Sequence, residues 1–386
     1  MAGGLRMITP GLAEVGGTKN HSTSHSKLIT VDAVARSAPV DAIIVPTARP
    51  VAYLRTAMRL ARDRGCVLVA LCSKRASAQT AFREAKAMGT EIIAVDVTAD
   101  LATKMPPFGT SKVTASKTFE RRTDTSMKRN LGLLLAQVAA WERIVFLDDD
   151  ISVPRAQDLN DAAGLLDEYT GAGLAIGGFP DNSVVCHAYR DAGGKHDTFI
   201  GGGALAVGHR SYTSFFPDIY NEDWFFLLNE KALSRSARTG EVVQAPFDPY
   251  RDDRRARSEE LGDSLAEGLF WLLDNGRELT AADDSRYWIG FLSRRRKFID
   301  EVIGMVRDSD TLPAEVKGRM TIALKAAKGR NLVIQPEMCV DYLAAWRKDR
   351  EQWQGHVLSM DATYHREILK LMETLELTSY QTDGAI

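Results

Sequence analysis

The sequence predicts an α/β protein in which helices flank a mostly parallel sheet and a helical C-terminal region follows it. Three observations lead to this prediction. Strand and helix patterns alternate through the N-terminal third, an apolar run ends abruptly in three aspartates, and long amphipathic helical patterns occupy the last third. Strands and helices that alternate at short spacing form βαβ units, whose strands are parallel.

The first ordered part contains three strand patterns separated by two helical patterns. The strands are predicted at 40–47, 66–72 and 91–97, and the helices at 50–64 and 77–88. Pro50 suits the first turn of its helix, and Ser77 suits an N-cap. No G-x-G-x-x-G turn follows the first strand and no P-loop occurs, so dinucleotide-binding and NTPase functions lose their usual support.

A basic segment precedes the aspartates. It contains Lys117, Arg121, Arg122, Lys128, Arg129 and Asn130, and its helix is predicted to continue to Ala140. Because this helix leads towards the aspartates, Lys128, Arg129 or Asn130 could reach a nucleotide or its phosphates. A solvated basic helix face is the alternative for most of these charges.

The run from Ile144 to Ile151 is the most informative part of the chain. Its apolar residues read as a buried parallel strand that ends in Asp148, Asp149 and Asp150, with no basic residue in the run to neutralise them. Ligands of open α/β sheets bind beyond such strand ends. In an extended chain Asp148 and Asp150 share one side, and two oxygen ligands suit Mg²⁺ or Mn²⁺ completed by substrate phosphates. A simple turn or helix N-cap is the alternative.

Two later segments add to this picture. After an apolar strand pattern at 171–178, the run Gly201-Gly202-Gly203 allows either a pocket wall or a tight crossing in the sheet. Glu222 and Asp223 head an aromatic helix, whose dipole is expected to keep both carboxylates ionised. An ionised carboxylate in a pocket can accept a proton from a hydroxyl nucleophile, and helix capping is the alternative role.

The order of these features resembles the GT-A glycosyltransferases, most closely the family 2-like group, over about 40–228. The resemblance implies a GT-A fold and metal-dependent transfer of a sugar from a nucleoside diphosphate sugar to an acceptor hydroxyl. It implies Asp148 and Asp150 as ligands of Mn²⁺ or Mg²⁺, Asp223 as general base and Glu222 as its companion. The candidates for binding the nucleotide sugar are Pro46, Thr47, Arg49, Asp96, Lys128, Arg129, Asn130, Asp148, Asp149, Gly202 and Gly203.

The sequence departs from that family in two respects. No acidic residue follows the first strand, where many members bind uracil, and Asp96 is the candidate replacement. A third metal ligand is not evident. The candidates are His187, His196, His356 and His365, with ordinary core or surface positions as the alternative.

The mechanism implied by an Asp223 base is a displacement that inverts the anomeric configuration. The alternatives are a retaining GT-A glycosyltransferase, a sugar-nucleotide nucleotidyltransferase and a non-catalytic nucleotide-binding protein of the same fold. The absence of a Gln-x-x-Arg-Trp motif argues against a processive synthase. Asp-x-Asp phosphatase chemistry ranks lower still, because Ile-Ser-Val-Pro follows Asp150.

Composition and segment patterns frame these expectations. The chain has 386 residues, of which 45% are hydrophobic, and its 49 Lys and Arg nearly balance 51 Asp and Glu, so nucleic acid is not expected as a partner. The four cysteines form no C-x-x-C pair, which argues against a zinc ribbon or a disulfide framework. No apolar segment is long enough for a membrane span, so we expect a cytoplasmic protein, with peripheral membrane association left open.

We predict a mobile leader at 1–38, a catalytic domain at 39–250 and a helical region at 251–386. His21 and His25 lie in the leader, where we expect no metal tract. Helical patterns in the last region lie at 258–275, 292–307, 313–328 and 338–353. These helices are predicted to wall the acceptor site or to form a homo-oligomer contact. The acceptor stays open between a glycan, a small molecule and a lipid-linked molecule.

Overall fold

The structure is a computed structural model that describes residues 25–33, 36–116, 118–119, 121, 123–179, 183–196 and 199–385. These residues contain one ten-stranded sheet. The strands are β1 Thr30–Val31, β2 Ala42–Thr47, β3 Val67–Cys72, β4 Ile92–Asp96, β5 Arg143–Leu147, β6 Ile151–Ser152, β7 Gly171–Gly178, β8 Ala204–Gly208, β9 Ser236–Gln244 and β10 Thr378–Gln381.

Thirteen α-helices accompany the sheet within the described residues. They are α1 Arg55–Arg64, α2 Ala78–Met88, α3 Leu101–Lys104, α4 Gly109–Val113, α5 Thr125–Val138, α6 Gln157–Leu165, α7 Val184–Asp191, α8 Glu222–Leu227, α9 Asp253–Asp274, α10 Ser285–Asp308, α11 Ala314–Asn331, α12 Pro336–Tyr364 and α13 Ile368–Thr374. The four helices predicted in the last region correspond to α9 to α12, each longer than its pattern indicated.

The strand order is β1-β9-β7-β8-β5-β2-β3-β4-β10, and β6 pairs with β9. Strands β4, β3, β2 and β5 are parallel neighbours, as the βαβ pattern predicts. β8 runs antiparallel to both β5 and β7, and β10 runs antiparallel to β4. The predicted α/β class with a helical C-terminal region is therefore confirmed, and antiparallel strands enter the sheet at its centre and at one edge.

Helices cover both faces of the sheet because its central strands are buried on both sides. In β2, Ile44 belongs to one apolar cluster, and Ile43 and Val45 belong to the other. Successive side chains of a strand point to opposite faces, so continuous apolar strands such as β2 require helices on each side. The carboxyl ends of β2 and β5 then lie at one edge of the sheet, where the acidic run begins.

Part of the predicted leader belongs to the fold. Residues 1–24 and 34–35 lie outside the described residues. β1 pairs in parallel with β9, and Ile29 packs in the core at 8% exposure. His25 is buried against Glu267 of α9. The expectation of a leader outside the fold is therefore wrong for residues 25–33, because sheet pairing and a buried ion pair hold them in place.

The C-terminal region packs into the same core as the sheet. β10 adds a strand beside β4, and one apolar cluster includes residues from both sides of the predicted boundary at 250. Asp349 of α12 accepts hydrogen bonds from the amides of Gly109 and Thr110, at 2.6 and 2.8 Å, at the start of α4. The C-terminal region therefore packs against α4 and extends the sheet beside β4.

All four cysteines are free and buried. None of the helices in the described ranges has the length and apolar character that a bilayer span requires.

Candidate active site

The three aspartates form a turn at the carboxyl end of β5. The Asp148 amide donates to the Gly203 carbonyl at 2.9 Å, which ties the turn to the glycine run before β8. Since the segment is a turn, the strand alternation expected for its side chains does not hold. Asp149 and Asp150 share one basic partner, and Asp148 has another.

Two arginines neutralise the turn, although the acidic run itself contains no basic residue. Arg49, which follows β2, donates to Asp149 Oδ1 and to Asp150 Oδ2, both at 2.8 Å. Arg129 of α5 donates from Nη2 to Asp148 Oδ1 at 3.1 Å. The expectation of an unneutralised acidic strand end is therefore wrong, because the fold brings in cations from two distant segments.

A cavity of about 360 Å³ opens over this turn. Residues that contribute to its lining are Pro46, Thr47, Ala48, Arg49, Asp124, Thr125, Lys128, Asp148, Asp149, Asp150, Gln244, Phe247 and Arg255. Thr47 donates from Oγ1 to Asp149 Oδ2 at 2.6 Å. The predicted donor-binding residues Pro46, Thr47 and Arg49 thus lie beside the aspartates, as expected for one site at the ends of β2 and β5.

Lys128 lies at the side of this cavity as a buried cross-link. Its Nζ donates to the Thr47 carbonyl and to Ser73 Oγ, both at 2.7 Å, and pairs with Asp124 at 3.1 Å. Burial lowers the pKa of this ammonium. Its present contacts therefore join α5 to the strand ends that form the cavity.

Asn130 and Asp96 are not brought to the site. The Asn130 side chain exchanges two hydrogen bonds of 2.8 Å with the backbone of Phe216. Asp96 accepts a 2.7 Å hydrogen bond from the Ala78 amide, so it fills the helix-capping position predicted for Ser77. Both side chains have structural partners outside the lining of the site, and neither prediction of nucleotide contact is supported.

Asp223 is a half-buried carboxylate held by two backbone amides. Its Oδ2 accepts from Gly202 at 2.5 Å, and its Oδ1 accepts from Trp224 at 2.9 Å. Desolvation, reinforced by the neighbouring Glu222 charge, raises the pKa of Asp223 to about 7. The expected stabilisation of the ionised form by the helix dipole does not decide this pKa, because α8 has only 6 residues and burial is the largest influence.

Glu222 and Asp148 are joined through one guanidinium. Arg129 donates from Nη1 to Glu222 Oε1 at 2.8 Å while its Nη2 binds Asp148, and Arg121 Nη1 lies 3.4 Å from Glu222 Oε2. The side chain of Arg129 is 4% exposed. This buried bridge fixes the distance between the acidic turn and the Glu222–Asp223 pair.

The glycine run makes room for that bridge. A Cβ on Gly202 would lie 2.5 Å from Arg129 Nη1, and one on Gly203 would lie 3.0 Å from Asp148 Oδ2. A Cβ on Gly201 would make only ordinary contacts, at 3.5 Å from Asp223 Oδ2. Close approach of polar side chains to the backbone, and not an unusual dihedral angle, is the reason for glycine at 202 and 203.

Replacing Gly202 with alanine should therefore destabilise the protein by about 1–3 kcal/mol, because the added methyl group displaces the Arg129 guanidinium. The measurement is the midpoint of denaturant unfolding. Gly201→Ala is the matched control and should shift the midpoint much less. Equal shifts in the two variants would contradict the role assigned to Gly202.

A second cavity, of about 200 Å³, adjoins the first. The two cavities share Thr125, Asp148 and Gln244 in their linings. Residues of the second cavity include Arg121, Arg129, Phe199, Gly201, Gly202, Gly203, Glu222, Asp223 and Trp224. Asp148 of the acidic turn therefore lines both a larger polar space and a smaller one that also contains the Asp223 carboxylate.

Several lining residues were not singled out from the sequence. Gln244 ends β9, a strand that was not predicted, and Trp224 was read only as part of an apolar helix. Arg121 was grouped with a solvated basic face, but it binds Glu222 and the Ile219 carbonyl. The one available signal was a polar residue, Gln244, at the end of a strand. That signal can be recognised only when the strand order is known.

The histidines proposed as a third metal ligand do not form a metal cluster. Across the described ranges, no group of three or more His, Cys, Asp and Glu side chains could hold a metal ion. His187 is packed against Phe179 and Phe247, and burial lowers its pKa to about 3. His196 lines the smaller cavity. Any metal at the turn would have to rely on the aspartates, substrate oxygens and water.

Comparison with known proteins adds little to this description. No family model and no curated protein matches the chain. Among solved structures, the chain is similar to the mannosyltransferase PcManGT from Pyrobaculum calidifontis in complex with GDP-Man and Mn²⁺. The similarity has a TM-score of 0.35 and 14% sequence identity, and it covers 87% of this chain and 89% of that one. Similarity at this level assigns neither a family nor an activity to the chain.

Proposed function

We propose that this protein transfers a sugar from a nucleoside diphosphate sugar to an acceptor hydroxyl, with Asp223 as the general base. The observation that carries the proposal is that two adjoining cavities share Asp148 of the acidic turn. The smaller cavity also contains Asp223, a carboxylate whose pKa is raised to about 7. A base with a pKa near the working pH transfers protons most effectively. Metal-dependent donor binding at the turn and proton abstraction beyond it are the two halves of such a transfer.

The larger cavity is assigned to the nucleoside diphosphate. It lies beyond the carboxyl ends of β2 and β5, where open α/β sheets bind ligands. Its three lining cations are already engaged. Arg49 pairs with Asp149 and Asp150, Lys128 with Asp124, and Arg255 with Glu259. A diphosphate therefore needs additional positive charge in this cavity.

The aspartates fit a divalent cation as that additional charge. One oxygen of each outer carboxylate, Asp148 Oδ2 and Asp150 Oδ1, has no hydrogen-bond donor within the described part of the chain. Two carboxylate oxygens completed by phosphates and waters suit Mg²⁺ or Mn²⁺. Such a cation would neutralise the departing diphosphate.

The smaller cavity is assigned to the transferred sugar and the attacking hydroxyl. Asp223 takes the hydroxyl proton, the acceptor oxygen bonds to the anomeric carbon, and the bond from that carbon to the diphosphate oxygen breaks. In this assignment the acceptor oxygen attacks from the side opposite the departing diphosphate, which inverts the anomeric configuration. Arg129 binds Glu222 next to the base. Desolvation and the Glu222 charge raise the pKa of Asp223, and the Arg129 charge opposes them.

The test is thermal stabilisation by UDP-, GDP-, ADP-, CMP- and TDP-linked sugars, with and without Mn²⁺. We expect one nucleotide to raise the melting temperature only when Mn²⁺ is present, and Asp150→Asn to abolish the shift. Asp167→Asn is the matched control, because Asp167 is an exposed carboxylate that also pairs with an arginine, Arg143, at 2.7 Å. If no nucleotide shifts the unmodified protein, the proposed donor site is wrong.

A further inference from the structure

The smaller cavity also contains lining residues to which the bond changes of the proposed reaction assign no part. Five of them, His25, Cys186, His196, Asp263 and Glu267, define the distal end of this cavity. The five side chains come from the N-terminal segment, α7, the loop before β8 and α9. Such a set of polar groups at the end of a cavity is a candidate for ligand recognition.

His25 closes the distal end as a fixed wall. Its Nε2 lies 3.1 Å from Glu267 Oε2, its Nδ1 binds Asp274, and Trp224 and Phe270 meet its ring at 5.6 Å. These two carboxylates raise the pKa of His25 to about 9 against the opposing effect of burial. The His25 imidazolium is therefore paired with two carboxylates of α9, and one of them, Glu267, has His25 as its partner.

Asp263 is also engaged within the protein. It binds the buried guanidinium of Arg295 and accepts from Asn221 Nδ2 at 3.2 Å. The carboxylates at the distal end are therefore paired with cations, Glu267 with His25 and Asp263 with Arg295. Because these charges are already paired, they offer no free counter-charge to an ionic ligand, and an uncharged group suits this end of the cavity.

His196 is the member of the set with unused hydrogen-bonding capacity. Its Nδ1 is buried, and no described residue makes a hydrogen bond with it. Burial lowers the pKa of His196, so the ring is neutral near pH 7. A buried polar nitrogen without a partner is costly, and a ligand that bonds to it removes this cost.

The shape of the cavity limits the size of that ligand. Its volume of about 200 Å³ lies below the range of roughly 300–1,000 Å³ that is usual for drug-sized ligands. Phe199 and Trp224 add aromatic surface to its lining. A small group with both hydroxyls and an apolar ring face matches these walls.

We propose that the distal end is a subsite for an uncharged, hydroxyl-bearing group of monosaccharide size, and that His196 hydrogen-bonds one of its hydroxyls. The proposal rests on the proposed function, since either the transferred sugar or the acceptor can supply this group. His25 defines the far wall of the subsite. His196 is a specificity-determining residue for either source.

The first experiment measures binding of simple sugars to the full chain by isothermal titration calorimetry. The probes are the methyl glycosides of glucose, mannose and galactose, with glucose 6-phosphate and glucuronate as anionic counterparts. We expect at least one neutral glycoside to bind more tightly than both anions. Anions that bind as tightly as every neutral probe, or no binding by any neutral probe, would overturn the proposal.

Variants then test the part assigned to His196. His196→Ala should weaken glycoside binding about 3- to 10-fold, the range of one hydrogen bond, and His196→Asn should restore part of it. His356→Ala is the matched control, because burial also lowers the pKa of His356 and its Nε2 is buried without a partner, yet it lies outside the described lining. An unchanged affinity in His196→Ala, or an equal loss in His356→Ala, would overturn the assignment.

A third arm separates the two sources and the two proposals. If His196→Ala weakens a sugar nucleotide but not its free nucleoside diphosphate, the transferred sugar occupies the subsite. If it weakens only the glycoside, the acceptor occupies it. Both outcomes support the subsite. Glycoside binding that depends on His196 in a protein that binds no nucleotide would retain the subsite and reject the proposed function.

Discussion

Replacing Asp223 with asparagine should lower the transfer rate by about 10²- to 10⁴-fold, the usual contribution of a general base. The amide keeps the shape of the side chain but cannot accept a proton from the acceptor hydroxyl. In the unmodified protein the rate should rise with pH until the pKa of about 7 is passed, because only ionised Asp223 is active. The measurement is the pH profile of kcat/KM with the nucleotide sugar found by thermal stabilisation.

Asp223→Asn should also change stability, in the direction opposite to that of a carboxylate whose ionised form is stabilised by folding. The folded-state pKa of about 7 exceeds the reference value of 3.8, so the unmodified protein loses stability as the pH rises between these values. Relative to the unmodified protein, the asparagine variant should therefore have a higher free energy of unfolding above pH 7. It should show no such increase below about pH 4. Asp218→Asn is the control for activity, because desolvation also raises the pKa of Asp218 but it lines another cavity. Equal losses of rate in both variants would reject Asp223 as the base.

Replacing Arg129 with methionine should destabilise the protein by about 3–5 kcal/mol, the usual result of removing one partner of a buried ion pair. The variant leaves Asp148 and Glu222 without the guanidinium that binds them at 3.1 and 2.8 Å. Methionine keeps much of the apolar volume beside Phe216, whose ring lies 5.6 Å from the Arg129 guanidinium carbon. The midpoint of denaturant unfolding measures the loss.

Two further variants make this prediction specific. Adding Glu222→Gln to Arg129→Met should recover part of the stability, because it removes one of the carboxylates left unpaired. Arg307→Met is the surface control, since Arg307 pairs with Asp308 at 2.7 Å and both side chains are exposed. It should leave the unfolding midpoint almost unchanged. A loss in Arg129→Met no larger than in Arg307→Met would show that the bridge adds nothing to stability.

Local patterns predicted the sheet better than they predicted its edges. Continuous apolar runs such as 67–72 are buried on both sides and can be read without knowledge of their neighbours. β10 pairs with β4, a strand far away in the sequence, and β1 has only two residues. Neither strand has a comparable apolar pattern. Their positions depend on backbone pairing with distant strands, which leaves little trace in local composition.

The same limit applied to the site. The acidic run and the Glu222–Asp223 pair were recognised because carboxylates at element ends form a local pattern. Asp96 and Asn130 matched expectations of position equally well, but their partners are the Ala78 amide and the Phe216 backbone. Whether such a residue faces a cavity or satisfies a neighbouring backbone group depends on contacts across the fold.

By itself the sequence determined the α/β class, the acidic run at a strand end and the Glu222–Asp223 pair at a helix start, because each follows from the local order of apolar and acidic residues. Only the tertiary structure decided which charges meet. In the folded chain Arg49 and Arg129 pair with the aspartates, and Asp223 is desolvated next to Glu222. His25 of the N-terminal segment pairs with α9. Charge pairing and desolvation depend on distances between segments far apart in the chain, and these two effects set the chemistry available in the cavities.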